Sequence, residues 1–158
     1  MPDIRVRIEG DERLRRTMQN PMFIKGPLRK FLAKAGFVLE LHMKTGAPVD
    51  TGRLRSSIIS KPSPTRMSVG PTVFYAPFVE FGSRPHWAPT GALQPWARRH
   101  GFPAGALGDL IVRRIIARRG TRAHPFAGPA MKKSIPAIHA FVREMAQDIN
   151  RRWRGNAV

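Results

Sequence analysis

Between Pro27 and the Gly46-Ala47-Pro48 stop, Leu28, Phe31, Leu32, Ala35, Leu39 and Met43 recur at helical spacing, and no other run constrains the fold as strongly. Proline suits a first helical turn, where its missing N–H would be unpaired anyway, and glycine followed closely by proline ends a helix. The spacing predicts a helix of about 17 residues, roughly 26 Å long, whose apolar stripe needs a partner.

The end of the chain offers one. Met131, Ile135, Ile138, Val142, Met145 and Ile149 alternate four- and three-residue steps, a heptad seam suited to one neighbouring helix. Pro136 interrupts it, and Ser134 is placed to cap a restart, since a proline mid-helix costs about 3 kcal/mol. Ile4, Val6 and Ile8 alternate with Arg5, Arg7 and Glu9, which predicts a half-buried strand ending at Gly10, and a short polar helix over Asp11–Met18 follows it. A further strand is expected from Leu54 to about Ser60, closed by Pro62 and Pro64, with return strands over Arg66–Val69 and Val73–Tyr75. Beyond Gly82 the composition changes. Ser83–Pro89 reads as a rigid loop, and helices are expected over Leu93–His100 and Leu107–Arg119, with Leu107, Ile111 and Ile115 sharing a face of the second. Gly82-Ser83-Arg84-Pro85-His86 and Gly120-Thr121-Arg122-Ala123-His124 echo one another, as two similar loops flanking an insertion would.

The 158 residues suffice for one core, so a single domain over 1–158 is expected, with an insertion at about 83–120 and a basic tail at 151–158. Charge is the unusual property: 28 Lys and Arg against 10 Asp and Glu leave +18, which calls for a polyanion or acidic protein surfaces. Cysteine is absent, so disulfides and thiolate zinc sites are excluded. The N-terminus lacks the apolar run of a signal peptide and no segment approaches the roughly 18 apolar residues of a membrane span, so a soluble intracellular product is expected.

One tripeptide, Asp50-Thr51-Gly52, matches the catalytic turn of aspartic proteases. That chemistry needs two carboxylates sharing one proton, and Arg53 and Arg55 favour the doubly ionised state it must avoid. The better reading is a turn, in which Asp50 accepts backbone N–H groups two and three residues on and Gly52 takes a positive φ. The histidines show no metal-ligand spacing, and no P-loop or nucleophile elbow is present. No catalytic residue, metal or cofactor is expected.

Ala47–Ile58, then Tyr75-Ala-Pro-Phe-Val-Glu-Phe-Gly82-Ser83, then His124-Pro125-Phe126 with Pro129-Ala130 resemble, in order, the tail-component family of long-tailed bacteriophages. These are small head–tail joining or tail-completion proteins related to the minor tail protein Z group. The resemblance implies an α+β subunit, a small, mostly antiparallel sheet packed by the long first helix and the terminal helix, here with a helical insertion. It implies a ring of identical copies, sixfold, at the capsid–tail junction of the virion, meeting other neck and tail proteins and duplex DNA, and no membrane. Asp50, Thr51, Gly52, Arg53, Leu54, Tyr75, Glu80, Phe81, Gly82, His124, Pro125 and Phe126 then become structural motif residues. Tyr75, Phe78 and Phe81 are expected to anchor their segment by burial, Glu80 to pair with an arginine, and Pro125-Phe126 to dock the terminal helix.

Arg113, Arg114, Arg118, Arg119, Arg151, Arg152 and Arg154 are the candidate contacts to DNA or a partner. Duplex DNA carries one charge per roughly 1.7 Å, so a ring spanning about 30 Å faces about 18 phosphates, far fewer than six chains' excess charge. Most arginines therefore meet acidic proteins or solvent. The rival readings are a tail terminator and a free-standing basic nucleic-acid-binding protein, and the latter needs a recognition helix or an aromatic stacking platform that the sequence does not display.

Overall fold

The computed structural model describes residues 21–155. The strand expected over Ile4–Gly10 and the helix over Asp11–Met18 lie outside the described residues. The chain is α+β: α1 (Pro21–Gly46), α2 (Arg53–Ser56), a hairpin of β1 (Ile58–Pro62) and β2 (Met67–Pro71), α3 (Ala76–Phe81), α4 (Gln94–Arg99), α5 (Ala106–Arg119) and α6 (Ala127–Gly155). Two compact units share these elements, one of residues 21–41, 60–69 and 133–155, the other of 42–59 and 70–132.

In the first unit α1 packs on α6 and on the hairpin. The helix starts at Pro21, not near Pro27, and runs for 26 residues. Pro27 forgoes one backbone bond, yet its ring is fully buried, which offsets the loss. Close approach is achieved with glycine: a Cβ at Gly36 would lie 2.8 Å from Met67 Cγ. The Ser60 hydroxyl also donates to the Gly36 carbonyl, at 3.4 Å, and to the Glu40 carboxylate. Along the helix pair, Phe23 meets Trp153 edge to face at 6.4 Å, and Lys34 lies 2.6 Å from Glu144. Both partners of that ion pair are about half exposed, so it adds at most about 1 kcal/mol.

The seam of α6 differs from the expected one. The helix runs unbroken through Pro136, and Ser134 is a fully buried interior residue, no cap. Of the expected seam residues, Ile138, Met145 and Ile149 are half-buried, but Met131, Ile135 and Val142 are 49%, 42% and 41% exposed, while Ala130 and Ser134, outside that seam, are buried. The inward face thus takes in the small residues Ala130 and Ser134, since small side chains allow close approach.

In the second unit the segment after Gly52 is a helical turn, where a strand from Leu54 was expected. Gly52 has φ 78°, and the turn closes through Ser56 N–H to Gly52 O at 2.9 Å. Ser56 and Ser57 then bond their hydroxyls to the Arg53 and Leu54 carbonyls, at 3.1 and 2.7 Å, which holds the helical conformation. Residues 73–75 are a turn into α3, not a return strand. On α5 the buried residues are Gly108, Asp109 and Val112, whereas Leu107 and Ile115 are 58% and 44% exposed. A Cβ at position 108 would stand 2.0 Å from the Pro103 carbonyl, so the glycine decides which face turns inward.

Candidate functional site

The motif blocks read from the sequence come together within residues 42–59 and 70–132. Glu80, on α3, is the joint between two of them. Its carboxylate accepts the backbone N–H groups of Phe126 (2.7 Å), Ala127 (2.9 Å) and Gly128 (3.1 Å). These are the opening donors of α6, which have no partner inside the helix and carry its positive dipole end. The expected arginine partner is therefore replaced by a helix N-terminus, which offers three donors to one anion. Partial burial pushes the Glu80 carboxyl up, but the three N–H groups outweigh it and hold the value below the ordinary 4.5.

Because the folded value is depressed, this contribution is whole above about pH 4.5 and disappears as pH falls through the lowered value. Glu80→Ala is expected to cost about 2 kcal/mol at pH 7, in line with loss of a charged helix cap. Urea unfolding at pH 7 and pH 3 checks this, since the gap between the two proteins should narrow in acid. An equal gap at both would refute the capping role.

Phe126, in the same block, is 2% exposed and the largest fully buried side chain of the described residues. Gly46, at the end of α1, lies beside it, and a Cβ there would be in ordinary contact with Phe126 Cβ at 3.8 Å. Phe126 is thus buried at the start of α6, whereas Pro125 is exposed. Tyr75, Phe78 and Phe81 do not anchor α3 together: Tyr75 is half-buried, while Phe78 and Phe81 are 56% and 80% exposed. The buried residue there is Ala76, at 3%. Six residues of helix offer a single inward face, and alanine fills it.

The two echoing loops meet. Ser83 and Thr121 form an antiparallel bridge, with N–H to O distances of 3.1 and 3.2 Å, and their hydroxyl oxygens lie 3.0 Å apart. Gly82 and Gly120 flank this clasp at φ 73° and 70°. The segment between them leaves and rejoins the chain at one point.

Asp50 does not cap its own turn. Arg99 donates from Nε to Oδ1 at 2.8 Å and from Nη2 to Oδ2 at 2.5 Å. The hydrogen-bonded guanidinium lowers the Asp50 carboxyl against a small opposing effect of burial, so the group is held ionised. A shared-proton dyad needs the opposite. Neither Arg99 nor its pairing across the chain was visible as a motif, because the two residues are 49 positions apart.

Beside this ion pair lies an open groove of about 760 Å³. Its walls are largely apolar, including Val49, Phe78, Trp96, Val112 and Ile115, with Arg53 and Arg122 among the polar residues that line it. Trp96 stacks on His100 with ring centroids 4.0 Å apart.

The candidate arginines divide. Arg113 donates to the Ala88 carbonyl at 2.8 Å, sits 3.9 Å from Asp109 and lies over Trp87, so it is used inside the unit. Arg151 and Arg152 stand 3.7 and 3.5 Å from Asp148. Arg114, Arg118, Arg119 and Arg154 are exposed and have no ion-pair partner among the described residues. No group of His, Asp and Glu that could hold a metal ion occurs among the described residues, and no described helix is long and apolar enough to cross a membrane.

Neither a curated protein nor a solved structure matches this chain. A family model does, over residues 25–82, from α1 through the Asp50 turn and the hairpin to the glycine at which the clasp begins. That family is described as "Bacteriophage HK97-gp10, putative tail-component", and over residues 25–82 the chain is similar to it.

Proposed function

We propose that the chain is a structural subunit of a tailed bacteriophage particle, assembling as a ring of identical copies at the head–tail junction or tail end, where DNA passes. The observation that carries this reading is the tail-component match over residues 25–82, which includes the Asp50 turn and the Glu80 block. Support comes from Phe74 and Phe81, which are 87% and 80% exposed although they flank or lie within the motif. Each would gain about 1.5–3 kcal/mol if a neighbouring copy covered it. Every motif residue with a resolved contact is a joint of the fold, which suits a building block rather than a catalyst. A free nucleic-acid binder is less well supported, since one face of the most enclosed tryptophan, Trp96, is already taken by His100.

Phe81→Ser separates assembly from folding. Urea unfolding is expected to change by less than about 0.5 kcal/mol, as for an exposed position, while sedimentation velocity and electron microscopy should show rings lost. A wild-type chain that stays monomeric at high concentration and with tail components present would remove the proposal.

A further inference from the structure

The six carboxylates among residues 21–155 are all engaged. Glu40 accepts from Ser60, Glu144 from Lys34, and Asp148 faces Arg151 and Arg152. Asp50 is taken by Arg99, Glu80 by the start of α6, and Asp109 by the N–H groups of Gly91 and Leu93 at 2.9 and 3.1 Å. Arg53 and Arg122, which line the groove, have no partner of this kind. A second copy offers them no free described anion.

The groove narrows the choice further. Its capacity of about 760 Å³ is that of a ligand cleft, and Val49, Phe78 and Ile115 in its walls are 55%, 56% and 44% exposed. Duplex DNA presents phosphates to cations and would leave an apolar cleft unfilled. A flipped or single-stranded base needs an open aromatic face, and His100 stacks on one side of Trp96 with an interplanar angle of 14° while Phe102 lies 6.0 Å away. A protein segment meets both demands, with apolar side chains for the walls and carboxylates for the arginines.

We propose that this groove binds an acidic, apolar segment of a different protein, seated on Val49, Phe78 and Ile115 and neutralising Arg53 and Arg122. The inference rests on the tail-component reading only in taking that protein to be a neighbour in the particle. Asp50, also in the lining, is already bound by Arg99 and leaves Arg53 and Arg122 without a carboxylate partner among the described residues.

A fluorescein-labelled peptide of alternating Glu and Leu is the probe, followed by anisotropy with the full-length protein. The Glu-Leu peptide is expected to bind saturably, a Glu-Ser peptide and a Lys-Leu peptide much more weakly. Ile115→Glu and Val49→Glu, both at exposed positions, should each raise Kd about tenfold or more, with circular dichroism and urea midpoints near wild type. Arg122→Gln should weaken binding and reduce its salt dependence. Equal binding of the Glu-Ser peptide, or displacement of Glu-Leu by duplex DNA, would make the surface a plain cationic patch and overturn the proposal. So would dispersal of wild-type assemblies by Ile115→Glu in sedimentation velocity, because a second copy would then be the occupant, and so would absence of Glu-Leu binding. Failure of the particle reading is registered separately: a chain that never assembles with tail components but still binds Glu-Leu through Ile115 loses that reading and keeps the groove.

Discussion

Gly120→Ala is expected to destabilise the protein by about 3 kcal/mol or more, enough to lower the melting temperature by roughly 6 °C or more. Two costs combine. Gly120 has φ 70° and ψ −161°, a region open essentially to glycine alone, where strain is about 1–3 kcal/mol. The added Cβ would also lie 2.0 Å from the Ser83 carbonyl oxygen and 2.9 Å from the Arg84 carbonyl carbon. Those atoms are backbone, and they can retreat only by breaking the reciprocal Ser83–Thr121 bonds. Gly101→Ala is the matched control, because Gly101 has φ 78° but nothing within 4 Å of its Cβ position. Urea unfolding of the pair separates strain from collision. If the two variants lose the same stability, the close approach at the clasp has no energetic weight.

Phe126→Ala should cost about 3–5 kcal/mol, the range for removing a buried aromatic ring. The ring is 2% exposed and sits where the end of α1, the start of α6 and the Glu80 carboxylate converge. Removing it leaves a void that Gly46 cannot fill and loosens the N–H groups that Glu80 holds. Its effect should therefore exceed that of Glu80→Ala and be less than additive with it, since the two changes share one joint. A double-mutant cycle by urea unfolding reads the coupling. Full additivity would mean that the ring and the carboxylate act independently.

The helices were legible in the sequence where period and punctuation agree. Gly46 with Pro48 ends α1, Gly120 ends α5, and the start of α5 lies within one residue of Leu107. Orientation was less legible. On α6 the heptad pattern from Met131 to Ile149 suggested the seam, and Ile138, Met145 and Ile149 are half-buried, yet Ala130 and Ser134 are more buried than Met131, Ile135 and Val142. Periodicity finds a helix, but which stripe turns inward depends on how near the neighbour comes. The same holds on α5, where Gly108 decides and Leu107 and Ile115 do not.

Of the site, the resemblance named Glu80 and Phe126 but not the way they meet. A carboxylate gathering three N–H groups from 46 to 48 positions away leaves no mark in local spacing. Arg99 was missed for the same reason. The Gly-Ser and Gly-Thr echo was the one long-range signal in plain view, since two strands that pair reciprocally in so tight a space need the same small residues on both sides.

A segment whose departure and return share one bridge behaves like a module in a socket. A change of length within residues 84–119 is expected to leave the seating of α6 on Glu80 and Phe126 as it is, provided that Arg99 still reaches Asp50. The Ser83–Thr121 bridge thus lets one scaffold acquire a new contact surface without re-engineering its frame.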